Sequence, residues 1–174
     1  YYAMRPGDIC VMRMTDVVQI EGEKGPSVEA SLHAKVLTAR PDCKASLHTH
    51  QPIAGAFSLL ATDLKVEDPD AIALLGERIP CASYAPSGTG WLAKRVGQAF
   101  SGSNHACLMR SHGIVCVGTD IQQAIDRIIA LEAACAAFFQ NASADGPPLQ
   151  AETAALIEQA LTSISQRQNQ ETTA

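Results

Sequence analysis

Ala45-Ser46-Leu47-His48-Thr49-His50, followed by Gln51-Pro52 and a small-residue run from Ile53 to Ala61, is the stretch whose reading decides the rest of this chain. Apolar and small residues lead into it and a proline follows closely, which predicts a short buried strand opening onto a site. Residues two apart on a strand point to the same face, so His48 and His50 can converge on one point. Imidazole is the commonest metal-binding side chain and suits zinc and other late divalent ions. Two ligands do not make a site, however, and a bare H-x-H is more often two unrelated histidines.

The chain has 174 residues, enough for one domain with a proper core and too few for two comfortable ones. Hydrophobic residues make up 47% and charged ones 18%, the balance of a globular chain. A net charge of -5 and a pI near 5.5 argue against nucleic acid or an anionic membrane as a partner. No apolar run reaches the length of a membrane span, and no secretory signal pattern opens the chain. Tyr1-Tyr2-Ala3 is no natural start, so a processed or trimmed N-terminus is expected. Cys10, Cys43, Cys81, Cys107, Cys116 and Cys135 are scattered without C-x-x-C spacing and read as buried thiols in a reducing cytoplasm. Cys107 and Cys116 are conceivable metal ligands, but their aliphatic neighbours favour plain core.

Outward from the histidine stretch, the elements can be placed in order. Arg5-Pro6-Gly7-Asp8 is a turn, Ile9 to Met14 a strand and Val17 to Ile20 a second one. Pro26 opens a helix of about fifteen residues ending before Pro41, capped by Gly25 or Ser27. Its apolar stripe is Val28, Leu32, Val36 and Ala39. Glu29 falls in its first turn, where the helix dipole favours negative charge, and shares a face with His33. Pro52 to Leu60 reads as helix, Ile79 to Tyr84 as strand, Ala85 to Gly90 as loop and Trp91 to Phe100 as helix. Ala106 to Val117 is two strands around Arg110-Ser111-His112-Gly113. Thr119 with Gln122 fits a capping box for a helix carrying Ile121, Ile125, Ile128, Cys135 and Phe139 toward the core. Asn141 to Pro148 reads as a linker, Ala151 to Ile164 as a last helix, and residues 165–174 as a frayed tail of the same single domain.

Among the remaining histidines, His112 sits beside a glycine at the break between two apolar strands, a rigid frame for presenting a side chain. His105 reads as a surface residue and His33 as a packing or supporting one. Glu132 lies within a core stripe, where a paired structural carboxylate is expected. Three histidines with a carboxylate nearby form the N3O set that suits a catalytic zinc with an exchangeable position. Spacing alone does not join His112 to the other two.

Gly25-Pro26-Ser27-Val28-Glu29, His48-Thr49-His50, and Ser111-His112-Gly113 ahead of a Gly-Thr-Asp helix start resemble the class II aldolase/adducin family. Pro80-Cys81-Ala82-Ser83-Tyr84-Ala85 and Gly88-Thr89 resemble its mid-domain segment, so the likeness runs from about Arg5 to Phe139. The resemblance implies an α/β fold, a three-layer α/β/α domain with a mostly antiparallel central sheet, assembled as a homotetramer. It implies that His48, His50 and His112 bind Zn2+, or another divalent metal such as Mn2+, Co2+ or Fe2+. Glu29 would be the catalytic proton carrier, with Ser27 and Tyr84 the candidate substrate contacts.

The implied activity is that of a metal-dependent lyase acting on a small hydroxy-carbonyl or keto-acid molecule. A divalent cation polarises the C=O and stabilises the enediolate left by C–C cleavage, and Glu29 moves the proton. The chain also departs from the family's sugar-phosphate aldolases. Their Ser-Ser appears as Ser27-Val28, their upstream phosphate loop is not in this sequence, and no aromatic residue follows Phe139 to supply their C-terminal tyrosine. Epimerase, dehydratase or decarboxylase chemistry on the same metal, or an adducin-like interaction module, are the alternatives. The last of these predicts loss of the metal histidines.

Overall fold

The computed structural model describes residues 4–145; the expected helix at Ala151 to Ile164 and the tail from Ser165 lie outside them. Two strands, β1 (Val11–Arg13) and β2 (Val18–Glu21), form a separate antiparallel pair. Helix α1 (Ala30–Ala39) follows, then β3 (Ala45–Thr49) and α2 (Pro52–Ser58). The short β4 (Leu64–Lys65) and β5 (Arg78–Ile79) flank α3 (Pro69–Leu75). After β6 (Cys81–Ala82) come α4 (Gly90–Ala99), β7 (Ala106–Met109), β8 (Gly113–Gly118) and α5 (Ile121–Asp145). One compact unit ends at Ala136, and a second begins at Ala137 within α5.

The central sheet has the order β3-β8-β7-β6. Its β3–β8 and β8–β7 pairs are antiparallel and β7–β6 is parallel, so the sheet is mixed with antiparallel pairing in the majority. Both faces are covered. Cys107, Met109, Val115 and Val117 share a core with Leu32 and Val36 of α1 and with Leu92 and Val96 of α4. The alternate residues Ala106, Leu108, Ile114 and Cys116 are equally buried on the other face, where α2 packs. Strands buried on both faces read as continuous apolar runs, as β7 and β8 do.

Several expectations change. Helix α1 starts four residues late, with Glu29 as its N-cap and not in its first turn, and Val28 is 75% exposed ahead of it. The Ser27 hydroxyl accepts from the Glu29 N–H at 3.2 Å and the Ser27 carbonyl from the Ala30 N–H, a local turn that competes with helix. The segment Ile79 to Tyr84 is not one strand. Pro80 has no N–H to give, so the pairing changes there from β4 to β7.

Helix α5 also turns a different face to the core. Ala124, Ile128, Leu131 and Cys135 are buried, while Ile121 is 64% and Ile125 is 37% exposed. A Cβ at Gly118 would lie 2.6 Å from the Ala124 nitrogen, so the small pair at that crossing selects the face. The cap is Asp120, whose carboxylate accepts from the Gln123 N–H, while Gln123 reaches back to the Thr119 N–H. No glycine or proline interrupts the helix before Gly146, so it runs through Asn141 to Asp145 where a linker was expected.

Candidate metal centre

The end of β3 and the β7–β8 turn bring the histidines together. His48 lies opposite Val115 in the antiparallel register, on the face covered by α1 and α4. Its Nδ1 stands 2.8 Å from the Ile114 carbonyl oxygen and can only donate there, which leaves the Nε2 lone pair pointing inward. His50 follows one residue past the strand, with its Nε2 3.1 Å from that of His48. His112 is carried by the turn, where Ser111 takes the left-handed conformation (φ 57°) and the His112 N–H closes on the Met109 carbonyl. The three ring centroids are 4.7, 4.9 and 5.2 Å apart. One nitrogen from each ring falls within 4.8 Å of the other two.

Glu29 closes this group from the N-cap of α1. It is 6% exposed, with Oε2 3.1 Å from His48 Nε2 and Oε1 3.3 Å from His112 Nε2. The Ser87 hydroxyl donates to Oε1 at 2.7 Å. Burial pushes the His112 pKa below the usual imidazole value; Glu29 opposes this, and His48 and His50 add to it. Behind the group, His33 Nδ1 meets the Ser46 hydroxyl at 2.8 Å, and burial followed by His48 lowers its pKa.

The donor set fits a divalent metal. Two ring nitrogens facing each other at 3.1 Å repel unless a proton or a cation lies between them. Nitrogens each ~2.0–2.1 Å from one tetrahedral zinc sit ~3.3 Å apart, close to the His48–His50 spacing. There is also no room to spare behind the pair. A Cβ on Gly113 would stand 2.6 Å from both His50 Cδ2 and the Thr49 carbonyl oxygen.

Glu29, His48, His50 and His112 are thus assembled from three distant parts of the chain, with Ser27 tied to the Glu29 backbone. Tyr84 is 55% exposed, and its backbone carbonyl is held by the Arg95 guanidinium. Among the described residues its hydroxyl has no part in the hydrogen bonds around Glu29. By sequence Ser87 is only one residue of the Ala85 to Gly90 loop. The one available hint was a hydroxyl in a Pro-Ser-Gly turn just ahead of the Thr89 cap, a pattern too common to single out. Cys107 and Cys116 are fully buried core thiols, the first pushed up to about 12 by burial.

Residues 1–139 match the Class II Aldolase and Adducin N-terminal domain family. Over 151 residues the chain is 31% identical to the 5-deoxy-D-ribulose 1-phosphate aldolase of Bacillus thuringiensis serovar kurstaki, covering 86% of this chain and 68% of that protein. Over 125 residues it is 31% identical to an L-fuculose phosphate aldolase of Methanococcus maripaludis, covering 72% and 66%. Its fold superposes on a solved L-fuculose 1-phosphate aldolase with a TM-score of 0.76 at 28% identity, over 92% of this chain and 75% of that one. The chain belongs to the class II aldolase/adducin family, on the side of its aldolase enzymes.

Proposed function

We propose that this protein is a divalent-metal-dependent lyase that cleaves a C–C bond of a small hydroxy-carbonyl substrate. The observation that carries the reading is the meeting of His48, His50 and His112 around one point with Glu29 against them. His48, His50 and His112 would hold the ion, with zinc the best match to an all-imidazole set. When bound, such an ion acts as a Lewis acid on a carbonyl oxygen and stabilises the negative charge that cleavage leaves there.

The protein's own groups do the rest. Glu29 takes the hydroxyl proton at its carboxylate as the neighbouring C–C bond breaks and returns a proton to the carbon that keeps the electron pair. Ser87 keeps one carboxylate oxygen of Glu29 aimed into the site. His48 is oriented by its Nδ1–H on the Ile114 carbonyl, a supporting bond of the kind that orients imidazole ligands. Ser27 and Tyr84, both exposed, are the candidate substrate contacts. The relatives' names support a ketose phosphate as the substrate class. A cyclic homotetramer in the cytoplasm belongs to the same proposal. It is supported by six free thiols and by Ile121, Ile125 and Ile129, which expose an apolar stripe on α5. Among the described residues no helix is long and apolar enough to cross a membrane.

Metal analysis of protein purified without chelator tests the reading, followed by product analysis with ketose 1-phosphates and their unphosphorylated counterparts. About one zinc or similar ion per chain is expected, lost in His48→Ala and His112→Ala together with cleavage. Glu29→Gln should keep the metal and lose turnover. Normal turnover in Glu29→Gln, or a metal-free wild type that cleaves at full rate, would overturn it.

A further inference from the structure

Helix α2 begins two residues after His50, and its own sequence provides no cap. Gln51 is the N-cap residue but its side chain makes no capping bond, and Pro52 occupies the first helical position. The next two backbone N–H groups, of Ile53 and Ala54, precede the first intrahelical bond, which runs from the Gly55 N–H to the Gln51 carbonyl. A partly buried helix start with two unmet donors is costly. Glu132, on α5 and 79 positions away in sequence, meets both. Its Oε1 accepts from the Ile53 N–H at 2.9 Å and its Oε2 from the Ala54 N–H at 2.8 Å. One carboxylate oxygen per N–H, with the charge at the positive end of a helix, is the strong, two-point form of such a contact.

This clamp bears on the metal group because of what lies on either side of it. N-terminally, the chain runs from the clamped N–H groups through Pro52, whose φ is ring-locked, and Gln51 to His50. C-terminally, Ala54 and Phe57 of the same helix are fully buried, so α2 cannot slide to compensate. His50 itself is the least anchored of the three histidines. It is exposed and lies past the end of β3, and among the described residues its one polar contact is the 3.1 Å approach to His48. His48, by contrast, is held by the sheet register and by the Ile114 carbonyl.

We infer that Glu132 is a positioning residue for the His50 limb of the metal centre, acting through the N-terminus of α2. It touches neither metal nor substrate. The inference rests on the metal reading above and adds to it a remote carboxylate that sets metal affinity.

The test compares Glu132→Ala and Glu132→Gln with the wild type and with Ile128→Ala, a core variant one turn earlier on α5, in the full chain. Zinc affinity is measured by competition with a chromophoric chelator, and amide exchange at Ile53 and Ala54 by NMR or mass spectrometry. Glu132→Ala should weaken zinc binding by about 10-fold, the low end of what loss of a supporting carboxylate costs. It should also speed exchange at the two amides. Glu132→Gln, which keeps one acceptor oxygen, should recover part of both effects. Ile128→Ala should lower thermal stability while leaving zinc affinity near the wild-type value. Zinc bound as tightly by Glu132→Ala as by the wild type overturns this inference and leaves the metal reading standing. An equal loss in Ile128→Ala also overturns it, by reducing the effect to general destabilisation. A wild type that binds no zinc overturns both.

Discussion

Replacing Gly113 by alanine tests the geometry of the centre with a single methyl group. The added Cβ would lie 2.6 Å from the Thr49 carbonyl oxygen and from His50 Cδ2, and 3.1 Å from His48 Cε1. Carbon atoms in contact sit ~3.5 Å apart, so the His50 ring must retreat by roughly 0.9 Å or the backbone must open. The backbone is the stiffer of the two, because Thr49 and Ile114 are partners in the β3–β8 register. Overpacking of this kind costs about 1–3 kcal/mol, or roughly 2–4 °C of Tm per kcal/mol for a chain this long. A ligand displaced beyond ~0.5 Å no longer meets its ion properly. Zinc affinity should therefore fall at least ~10-fold, or ~1.4 kcal/mol. The assays are chelator competition for affinity and thermal unfolding in excess chelator for the metal-free fold. A Gly113→Ala protein that binds zinc like the wild type and melts at the same temperature would refute the packing argument and the assembled site with it.

Two further outcomes follow from the same geometry. Ser87→Ala removes the donor to a nearly buried carboxylate; a hydrogen bond to a charged group contributes ~1.5–3 kcal/mol. The variant should keep its metal, melt lower and turn over more slowly, and unchanged melting and turnover would show that Glu29 does not depend on it. The second concerns pH. His105 is held below the usual imidazole pKa by burial first and then by Arg127 and Arg40, against Asp42, and it accepts from the Arg40 guanidinium. The unfolded chain therefore binds more protons once pH drops through ~6.5, and metal-free stability should fall from pH 7.5 to 5.5. His33 and His112 add in the same direction. His105→Gln should flatten that decline in chelator-treated protein; stability that stays level or rises would contradict the sign.

Much of this was readable from the amino-acid order because it depends on local rules. Period-two alternation puts His48 beside His50, and unbroken apolar runs bounded by Gly113 and Gly118 make β7 and β8. The proline after His50 opens α2. The resemblance to a known family supplied Glu29 and His112 as partners, which spacing alone did not. What the order could not contain were choices made between segments. The start of α1 moved because Ser27 could bond to nearby backbone instead of serving as a helical residue. The buried face of α5 was chosen at its crossing with Gly118, where only a small residue fits, so Ile121 and Ile125 turned outward despite their apolarity. Ser87 reached Glu29 across 58 residues and Glu132 reached α2 across 78 or more. Contacts over such separations leave no periodic trace, because each is set by how helices and sheet come to rest against one another and by which buried donor or acceptor is then left to be satisfied.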